Sequence, residues 1–247
     1  ASVQKCFRTS DIEEVGDKTH LTFFEMLGNF SFGGYFKKEA IHLAYKYLTE
    51  ILEINPERIT VTVFAGDPST SSGQVPYDKE SFDIWHKEIG LQAKKIAKHD
   101  RKDNFWGPTG DEGPCGPTTE IYVDGVEVWN LVFNEYHCRP SAGSGQAPST
   151  SSGQGKLEKL KVPGVDTGMG FERLVAMLQG VEDVFQTDIF EPIIQKINET
   201  APHLKDREVR VFADHLRASI FLIADGVRPS NKEAGYILRR LLRRVLA

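Results

Sequence analysis

A hairpin near the middle of the chain constrains the fold more than any other feature of the sequence. Two alternating runs, 120–123 and 126–133, are separated only by Asp124 and Gly125. Asp-Gly between alternating runs is one of the stronger short-range signals for a tight turn that joins antiparallel strands. The sequence therefore predicts an antiparallel hairpin with its turn at Asp124-Gly125.

The remaining chain alternates between strand-like and helix-like patterns. Apolar and β-branched residues predict further strands at 3–8, 21–27 and 59–64. Helical spacing or capping signals predict helices at 35–52, 78–90, 171–179 and 188–200, and two more from 209 onwards with a break at 226–231. Residues 103–118 contain seven Gly or Pro and are predicted to form an ordered loop.

Size and composition suit an ordinary globular fold. The 247 residues, 40% of them hydrophobic, are enough for one large domain or for a catalytic domain with a smaller helical one. The three cysteines are widely spaced and indicate neither a disulfide framework nor a cysteine zinc site. No run of about 18 apolar residues and no signal-type start is present, so we expect a cytoplasmic protein with no membrane span.

The heptad Pro-Ser-Thr-Ser-Ser-Gly-Gln occurs twice, at 68–74 and at 148–154. The second copy lies inside a longer Ser/Gly-rich segment, 141–155, and such segments cannot bury apolar surface. Identical copies in unrelated surroundings resemble inserted joins or replaced surface loops more than a structural repeat. We expect both to be spacers.

Charge is distributed unevenly along the chain. Residues 205–247 contain 10 Lys and Arg against 5 Asp and Glu, whereas residues 1–204 contain 20 against 30. The basic carboxy-terminal segment therefore predicts a polyanionic partner.

A glycine-rich stretch from Val165 to Arg173 precedes a predicted helix. Gly168 and Gly170 allow a ligand to approach the backbone closely, and a helix start attracts anionic groups. The stretch predicts a site for a charged ligand, with a simple turn as the alternative.

A second set of residues lies near the amino terminus. Arg8, His20 and Phe24 on two neighbouring strands would present a guanidinium, an imidazole and an aromatic ring to one pocket. A nucleoside triphosphate requires such a set, because cations bind phosphates and a flat ring stacks on a base. Taken singly, Arg8 could be a surface charge, His20 a capping donor and Phe24 a core residue.

Several long strings resemble class II aminoacyl-tRNA synthetases in the form carried by the alanyl-tRNA synthetase family. Arg8 with the string His20-Leu-Thr-Phe-Phe-Glu-Met-Leu-Gly-Asn-Phe-Ser-Phe-Gly33 resembles motif 2, and Asp166-Thr-Gly-Met-Gly-Phe-Glu-Arg173 resembles motif 3. Further similar strings are Asn104-Phe-Trp, Gly113-Pro-Cys-Gly-Pro117, Val128-Trp-Asn130, Ala213-Asp-His and Ile223-Ala-Asp-Gly-Val-Arg-Pro-Ser-Asn231. The resemblance implies an α+β fold, an antiparallel sheet flanked by helices. A catalytic core over 1–200 would precede a small all-helical segment over 201–247.

The resemblance implies how ATP would bind. Arg8 would hold the α-phosphate and His20 would contact the outer phosphates. Phe24 would stack on adenine with Arg173 on the opposite face, and the backbone of Met26 would read the base edge. Arg8 and Arg173 would be the catalytic residues, acting by charge stabilisation.

The resemblance also implies a pocket for alanine. Asp166 would pair with the ammonium group, while Trp129 and Asn130 would frame the carboxylate and the small side-chain pocket, with Gly168 beside them. Mg²⁺ would accompany ATP, and either of two strand glutamates, Glu25 and Glu120, could help to hold it. No zinc site is implied.

The carboxy-terminal segment would bind the acceptor stem of tRNA(Ala). The resemblance implies contacts from Asn231, Arg239 and Arg240. From the residues alone, the arginines could equally form a solvated helix face, and Asn231 could be an N-cap before Lys232.

The chain begins just ahead of motif 2, so motif 1 is expected to be missing, as are the editing and oligomerisation domains, which favours a monomer. The main prediction is an alanine–tRNA ligase core that forms alanyl-adenylate. The alternatives are an inactive or weakly active nucleotide- or tRNA-binding fragment, and an enzyme that loads something other than tRNA.

Overall fold

The computed structural model describes residues 1–67, 75–108, 110–139 and 156–246, so both predicted spacers lie outside the described residues. The strands in this part of the chain are β1 (Ser2–Phe7), β2 (Phe23–Gly28), β3 (Phe30–Phe32), β4 (Ile59–Phe64), β5 (Ile96–His99), β6 (Phe105–Trp106), β7 (Gly113–Val123), β8 (Val126–Arg139) and β9 (Lys156–Gly170). The α-helices in this part are α1 (Lys37–Lys46), α2 (Lys79–Asp83), α3 (Arg101–Asn104), α4 (Phe171–Gln179), α5 (Glu191–Thr200), α6 (Asp206–Ala224) and α7 (Glu233–Leu246).

The chain divides into two compact units. The first contains Ala1–Ser2 and Leu27–Met169, and the second contains Val3–Met26 and Gly170–Ala247. The boundary expected near residue 200 stays a prediction.

A sheet forms the centre of the first unit. Its strands follow the order β9-β8-β7-β4-β5, with β3 paired to β9 and β6 paired to β7. All these pairs are antiparallel except β4 with β5, which is parallel. The predicted hairpin is confirmed, since Val123 pairs with Val126 and the turn residues Asp124 and Gly125 have φ values of 51° and 82°. The predicted fold class, a sheet flanked by helices with a helical carboxy-terminal segment, is also confirmed.

One face of this sheet is apolar. Neighbours in register share a face, and Val61, Ile121, Trp129 and Met169 form a buried row across four strands. Two aromatic residues beyond the ends of α1 and α2 cover this face. Tyr47 packs edge-on against Trp129 at 5.9 Å, and the Nε1 of Trp85 donates to the Oγ1 of Thr119 at 2.9 Å.

The predicted loop over residues 103–118 is wrong in part, because β6 and the beginning of β7 lie within it. The Gly and Pro residues accompany a register shift between Cys115 and Thr118 in the pairing of β7 with β8, as is typical of glycine at strand irregularities. Gly116 is required there, since a Cβ would lie 1.8 Å from the carbonyl oxygen of Phe133.

The second unit contains β1, the first residues of β2, and helices α4 to α7. One buried cluster includes Phe185, Phe190 and Ala213, and another includes Phe23 and Leu241. The helices predicted in this unit, at 171–179, at 188–200 and two from 209 onwards, are confirmed as α4 to α7, with shifted starts for α5 and α6. Helix α4 ends at Gly180, as predicted, with φ of 69°. Within the described ranges, no helix is long and apolar enough to span a membrane.

Replacement of Gly116 by Ala should destabilise the first unit, because the new methyl group meets a backbone oxygen that cannot rotate away. We expect a loss of about 2 kcal/mol or more in the free energy of unfolding, measured by denaturant titration. Gly110→Ala is the control, since a Cβ there has no neighbour within 4 Å. Equal losses for both variants would contradict the argument.

Candidate functional site

The opposite face of the first unit's sheet contains a row of polar residues. Thr62 pairs with Glu120, Glu120 with Asn130, and Asn130 with Gly168 across four neighbouring strands. Asp166 lies two residues before Gly168 on β9 and shares its face. The structure therefore brings together Asn130, Asp166 and Gly168, three residues that the sequence assigned to one pocket.

Trp129, the fourth residue assigned to that pocket, lies on the other face of the sheet. Its register partners are Ile121 and Met169, its residue exposure is 8%, and its ring packs against Tyr47. Consecutive strand residues point to opposite faces, so the structure does not bring the side chains of Trp129 and Asn130 together on one face. The tryptophan is a core residue of the apolar face.

The carboxyl group of Asp166 is partly removed from water. Burial raises its pKa above the ordinary value, and no neighbouring charge in the described part of the chain lowers it. A partly desolvated carboxylate of this kind gains from an incoming cation, because that cation replaces lost hydration.

Three asparagines of the first unit have a buried Oδ1 without a hydrogen-bond partner among the described residues, namely Asn104, Asn130 and Asn134. The Nδ2 of Asn104 donates to Thr62 Oγ1 at 2.8 Å and to Thr118 Oγ1 at 3.2 Å. Buried acceptors are normally satisfied, so each oxygen is available to a donor from a ligand or water. Sequence reasoning gave Asn104 no role, although it begins the string Asn-Phe-Trp.

Glu120 belongs to the same polar row and is only 7% exposed. Its Oε2 accepts hydrogen bonds from Tyr122 Oη at 2.8 Å and Thr62 Oγ1 at 3.1 Å. Burial raises the pKa of Glu120, and it also raises the pKa of Tyr122, which the bond to Glu120 raises further. The hydroxyl groups of Tyr122 and Thr62 therefore satisfy the buried carboxyl group of Glu120 within the sheet.

In the second unit, Arg8 and Phe24 lie together. The backbone N–H of Arg8 donates to the carbonyl of Thr22, and the Arg8 guanidinium lies 5.1 Å from the centroid of the Phe24 ring. The Arg8 side chain is 54% exposed, and its nearest acid, Asp11, is 4.0 Å away. Met26 lies two residues after Phe24 on β2. This arrangement is an accessible cation above an aromatic ring.

His20 is held by Asp17 rather than by the strand itself. Its Nδ1 lies 2.6 Å from Asp17 Oδ2, and its backbone N–H donates to Asp17 Oδ1 at 2.8 Å. Burial raises the pKa of Asp17, but bonds from His20 and Thr19 outweigh burial and lower it. The ionised Asp17 fixes which ring nitrogen faces outward.

Arg173 lies in the first turn of α4, directly after a buried acid that sequence reasoning missed. Glu172 is 1% exposed and accepts the backbone N–H of Glu25 at 3.1 and 3.2 Å. Its Oε1 lies 2.8 Å from Nη2 of Arg217 on α6. Burial raises the pKa of Glu172, which Arg217 partly offsets. The available signal in the sequence was Arg217, a charged residue that lies between two small apolar residues, Ala213 and Ala218, of a predicted helix.

The predicted basic surface is on α7. Asn231, Tyr236, Arg239, Arg240, Arg243 and Arg244 line a surface cavity of about 570 Å³. The Oδ1 of Asn231 accepts from Arg239, so the amide engages a predicted neighbour rather than the helix start. Arg240 and Arg244 both contact Glu13, with Arg244 Nη1 at 2.8 Å.

The predicted metal-binding acids belong to different units, Glu25 to the second and Glu120 to the first. The carboxylate of Glu25 lies 3.7 Å from Arg217 and its side chain is 30% exposed. Among the described residues, no group of three His, Cys, Asp or Glu side chains could hold a metal ion.

Comparisons with a family model and with known sequences find similarity over nearly the whole chain. The family model for class II (A) tRNA synthetases matches residues 1–247. An alanine–tRNA ligase of Rubrobacter xylanophilus is 46% identical over 276 residues, which cover 99% of this chain and 29% of that protein. One of Thermotoga maritima is 44% identical and covers 100% and 29%, and one of Borrelia hermsii is 41% identical and covers 99% and 43%. The chain thus spans less than half the length of these curated relatives.

Among solved structures, the apo histidyl-tRNA synthetase of S. aureus has a TM-score of 0.39 and 11% identity, covering 81% of this chain and 53% of that one. The Desulfitobacterium hafniense pyrrolysyl-tRNA synthetase has a TM-score of 0.35 and 13% identity, covering 75% and 43%.

Replacing Asp166 by Asn should stabilise the protein at neutral pH. The pKa of Asp166 is raised in the folded state, so its contribution to stability falls as pH rises from the ordinary value through the raised one. The amide of Asp166→Asn stays neutral at every pH, and we expect a higher Tm at pH 7 and no difference below about pH 3.5, where the wild-type carboxyl is protonated. Asp188→Asn, at an exposed position, is the control. A lower Tm, or a gain that does not vary with pH, would contradict this.

Proposed function

Because the chain belongs to the class II tRNA synthetase family, we propose that it is the core of an enzyme that activates alanine with ATP and transfers it to tRNA(Ala). The relatives named above are alanine–tRNA ligases, of which the chain spans 29% to 43%. One observation carries the proposal, namely the polar face on which Asn130, Asp166 and Gly168 lie side by side. A carboxylate, an unsatisfied amide oxygen and a residue without a side chain fit a small amino acid.

Asp166 would pair with the ammonium group of alanine. Its partly desolvated carboxylate gains from a cation, and Asn130 Oδ1 would accept a second N–H. Gly168, which has no side chain, lies on the same face opposite Asn130. Because Trp129 lies on the opposite face, its ring is left out of the proposed pocket.

The second unit would bind ATP. Arg8 is an exposed cation above the Phe24 ring, which suits it to the α-phosphate, where negative charge develops as the carboxylate of alanine attacks. Phe24 would stack on adenine with Arg173 opposite and the Met26 backbone at the base edge. His20, oriented by Asp17, would contact the outer phosphates.

Catalysis by these residues would consist of positioning and charge stabilisation. No side chain is needed as a nucleophile, because the alanine carboxylate itself attacks phosphorus and pyrophosphate leaves. Arg8 and Arg173 would stabilise the transferring group more strongly in the transition state than in bound ATP.

Mg²⁺ bound to ATP needs only one or two protein carboxylates. Glu25 fits this need, since its partly exposed carboxylate is on the strand that contains Phe24. Glu120 fits poorly, since it is buried and hydrogen-bonded to two hydroxyl groups. The ion would neutralise phosphate charge.

The basic surface of α7 would contact the tRNA acceptor stem. Arg239 and Arg240 would bind phosphates, which gives affinity and salt dependence. Asn231, held at the edge of the cavity by Arg239, would contact a base edge in the shallow groove.

Alanine-dependent ATP–pyrophosphate exchange tests the activation step. We expect exchange by the intact chain and its loss in Asp166→Ala. Arg8→Ala should lower kcat by about 100- to 1000-fold while the KM for ATP changes much less. Asp188→Ala should behave like the wild type. Exchange no higher than that of Asp166→Ala would refute the enzymatic proposal and leave a nucleotide- or tRNA-binding fragment.

Charging of a tRNA(Ala) minihelix tests the second step. Asn231→Ala should charge at least about 10-fold more slowly, as expected for one lost base contact, while exchange stays unchanged. Asn198→Ala, at an exposed position on α5, is the control. Normal charging by Asn231→Ala would show that the residue does not read the acceptor stem.

A further inference from the structure

A buried arginine on α6 contacts the strand that contains Phe24. Arg217 is 7% exposed, and its Nη1 donates to the carbonyl oxygen of Phe23 at 3.2 Å. Its Nη2 lies 2.8 Å from Oε1 of Glu172. All of these residues belong to the second unit. The guanidinium therefore joins three elements of that unit, β2, α4 and α6.

These contacts fix the backbone on both sides of Phe24. The residue before it is held directly, through the carbonyl of Phe23. The residue after it is held indirectly, because the backbone N–H of Glu25 donates to the carboxylate of Glu172, which Arg217 binds. With both neighbouring backbone groups fixed, the direction of the Phe24 side chain is fixed as well.

The same contacts hold the start of α4 at a fixed position relative to β2. Glu172 is in the first turn of this helix, one residue before Arg173. A charged pair between Glu172 and Arg217 thus sets the position of the helix start relative to β2. Phe24 and Arg173 are positioned by one shared guanidinium.

Aromatic rings surround this guanidinium. Its Cζ lies 4.8 Å from the ring centroid of Phe23, 5.3 Å from that of Phe190 and 5.4 Å from that of Phe221. Phe23 and Phe221 stack at 4.1 Å. A planar guanidinium, with two terminal nitrogens that reach different acceptors and flat faces that pack against rings, fits this position better than the compact ammonium of lysine.

A buried acid on α6 also holds the residue just before β2. Asp214 is 1% exposed, and its Oδ1 accepts the backbone N–H of Thr22 at 2.8 Å. The segment from Thr22 to Glu25 is therefore anchored at three backbone groups. Each of these three backbone groups forms a hydrogen bond with a buried charged side chain on α6 or α4.

We propose that Arg217 is a positioning residue of the nucleotide site, holding Phe24 and Arg173 at the separation that adenine requires. This inference rests on the proposed ATP-binding role of those two residues. Arg217 touches no substrate itself; it acts through Phe23, Glu172 and Glu25. Small displacements of substrate-positioning groups have large effects on rate and binding.

The test is steady-state exchange kinetics of Arg217→Lys and Arg217→Met. We expect the KM for ATP to rise by about 10- to 100-fold, with the KM for alanine within twofold of the wild type. Lysine keeps the charge but lacks the planar, forked geometry that reaches both Phe23 and Glu172, so it should not rescue ATP binding. Glu172→Gln should show the same selectivity for ATP.

Arg210→Met is the matched control. Arg210 is on the same helix, and its guanidinium pairs with Asp183 at 2.7 Å and donates to the carbonyl of Gly16 at 3.3 Å. It therefore tests the loss of a partly buried arginine that does not contact β2. We expect a lower Tm without a selective change in the KM for ATP.

A merely structural role for Arg217 would lower Tm and the active fraction while both KM values stay unchanged, and that result would overturn the inference. Parallel rises in the KM for ATP and alanine would overturn it too. If Arg217→Met does not fold, Arg217→Lys and Glu172→Gln decide the question.

A wild-type chain that neither catalyses exchange nor binds a fluorescent ATP analogue would refute the proposed function and, with it, this inference. Wild-type activity with normal ATP kinetics in Arg217→Lys would refute only the inference.

Discussion

The pairing of β8 with β7 on one side and with β9 on the other is the constraint on which the first unit depends. Side chains on a strand alternate between faces, so a shift of one residue would exchange the two rows. Ile121, Trp129 and Met169 must be buried, and this requirement fixes the register. Asn130, Asp166 and Gly168 share the polar face as a consequence. The placement of the proposed pocket is thus determined by the hydrophobic effect acting on the opposite face.

The second unit depends instead on charged side chains that are buried and paired. Glu172, Arg217 and Asp214 are all nearly inaccessible to water, and burying charges is costly unless each is paired. Here each charge has a partner, and the partners include backbone groups of β2. Such pairs contribute little net stability compared with apolar packing, but they define direction and distance. They suit a site in which an aromatic ring and a helix start must keep a set separation.

Local signals predicted the elements well where a single residue type decides the backbone. Asp124-Gly125 forms the predicted turn and Gly180 ends α4 as predicted, because both glycines adopt a positive φ that other residues avoid. The same reasoning failed at 103–118, where glycine permits a close approach between strands rather than a loop. Of the four residues assigned to the alanine pocket, three share one face and Trp129 lies on the other, since a string of adjacent residues does not reveal which face each one occupies.

The sequence by itself determined the hairpin, part of the strand and helix content, the family and the basic carboxy-terminal helix, since these depend on local conformation, composition or matched strings. Only the tertiary structure decided that Trp129 is a core residue, that Glu120 is held by hydroxyl groups and that Glu172 pairs with Arg217. These facts depend on residues distant in sequence becoming neighbours, and burial then changes what their charges and polar atoms can do. A sequence displays which charged residues are present, but desolvation decides which of them need partners.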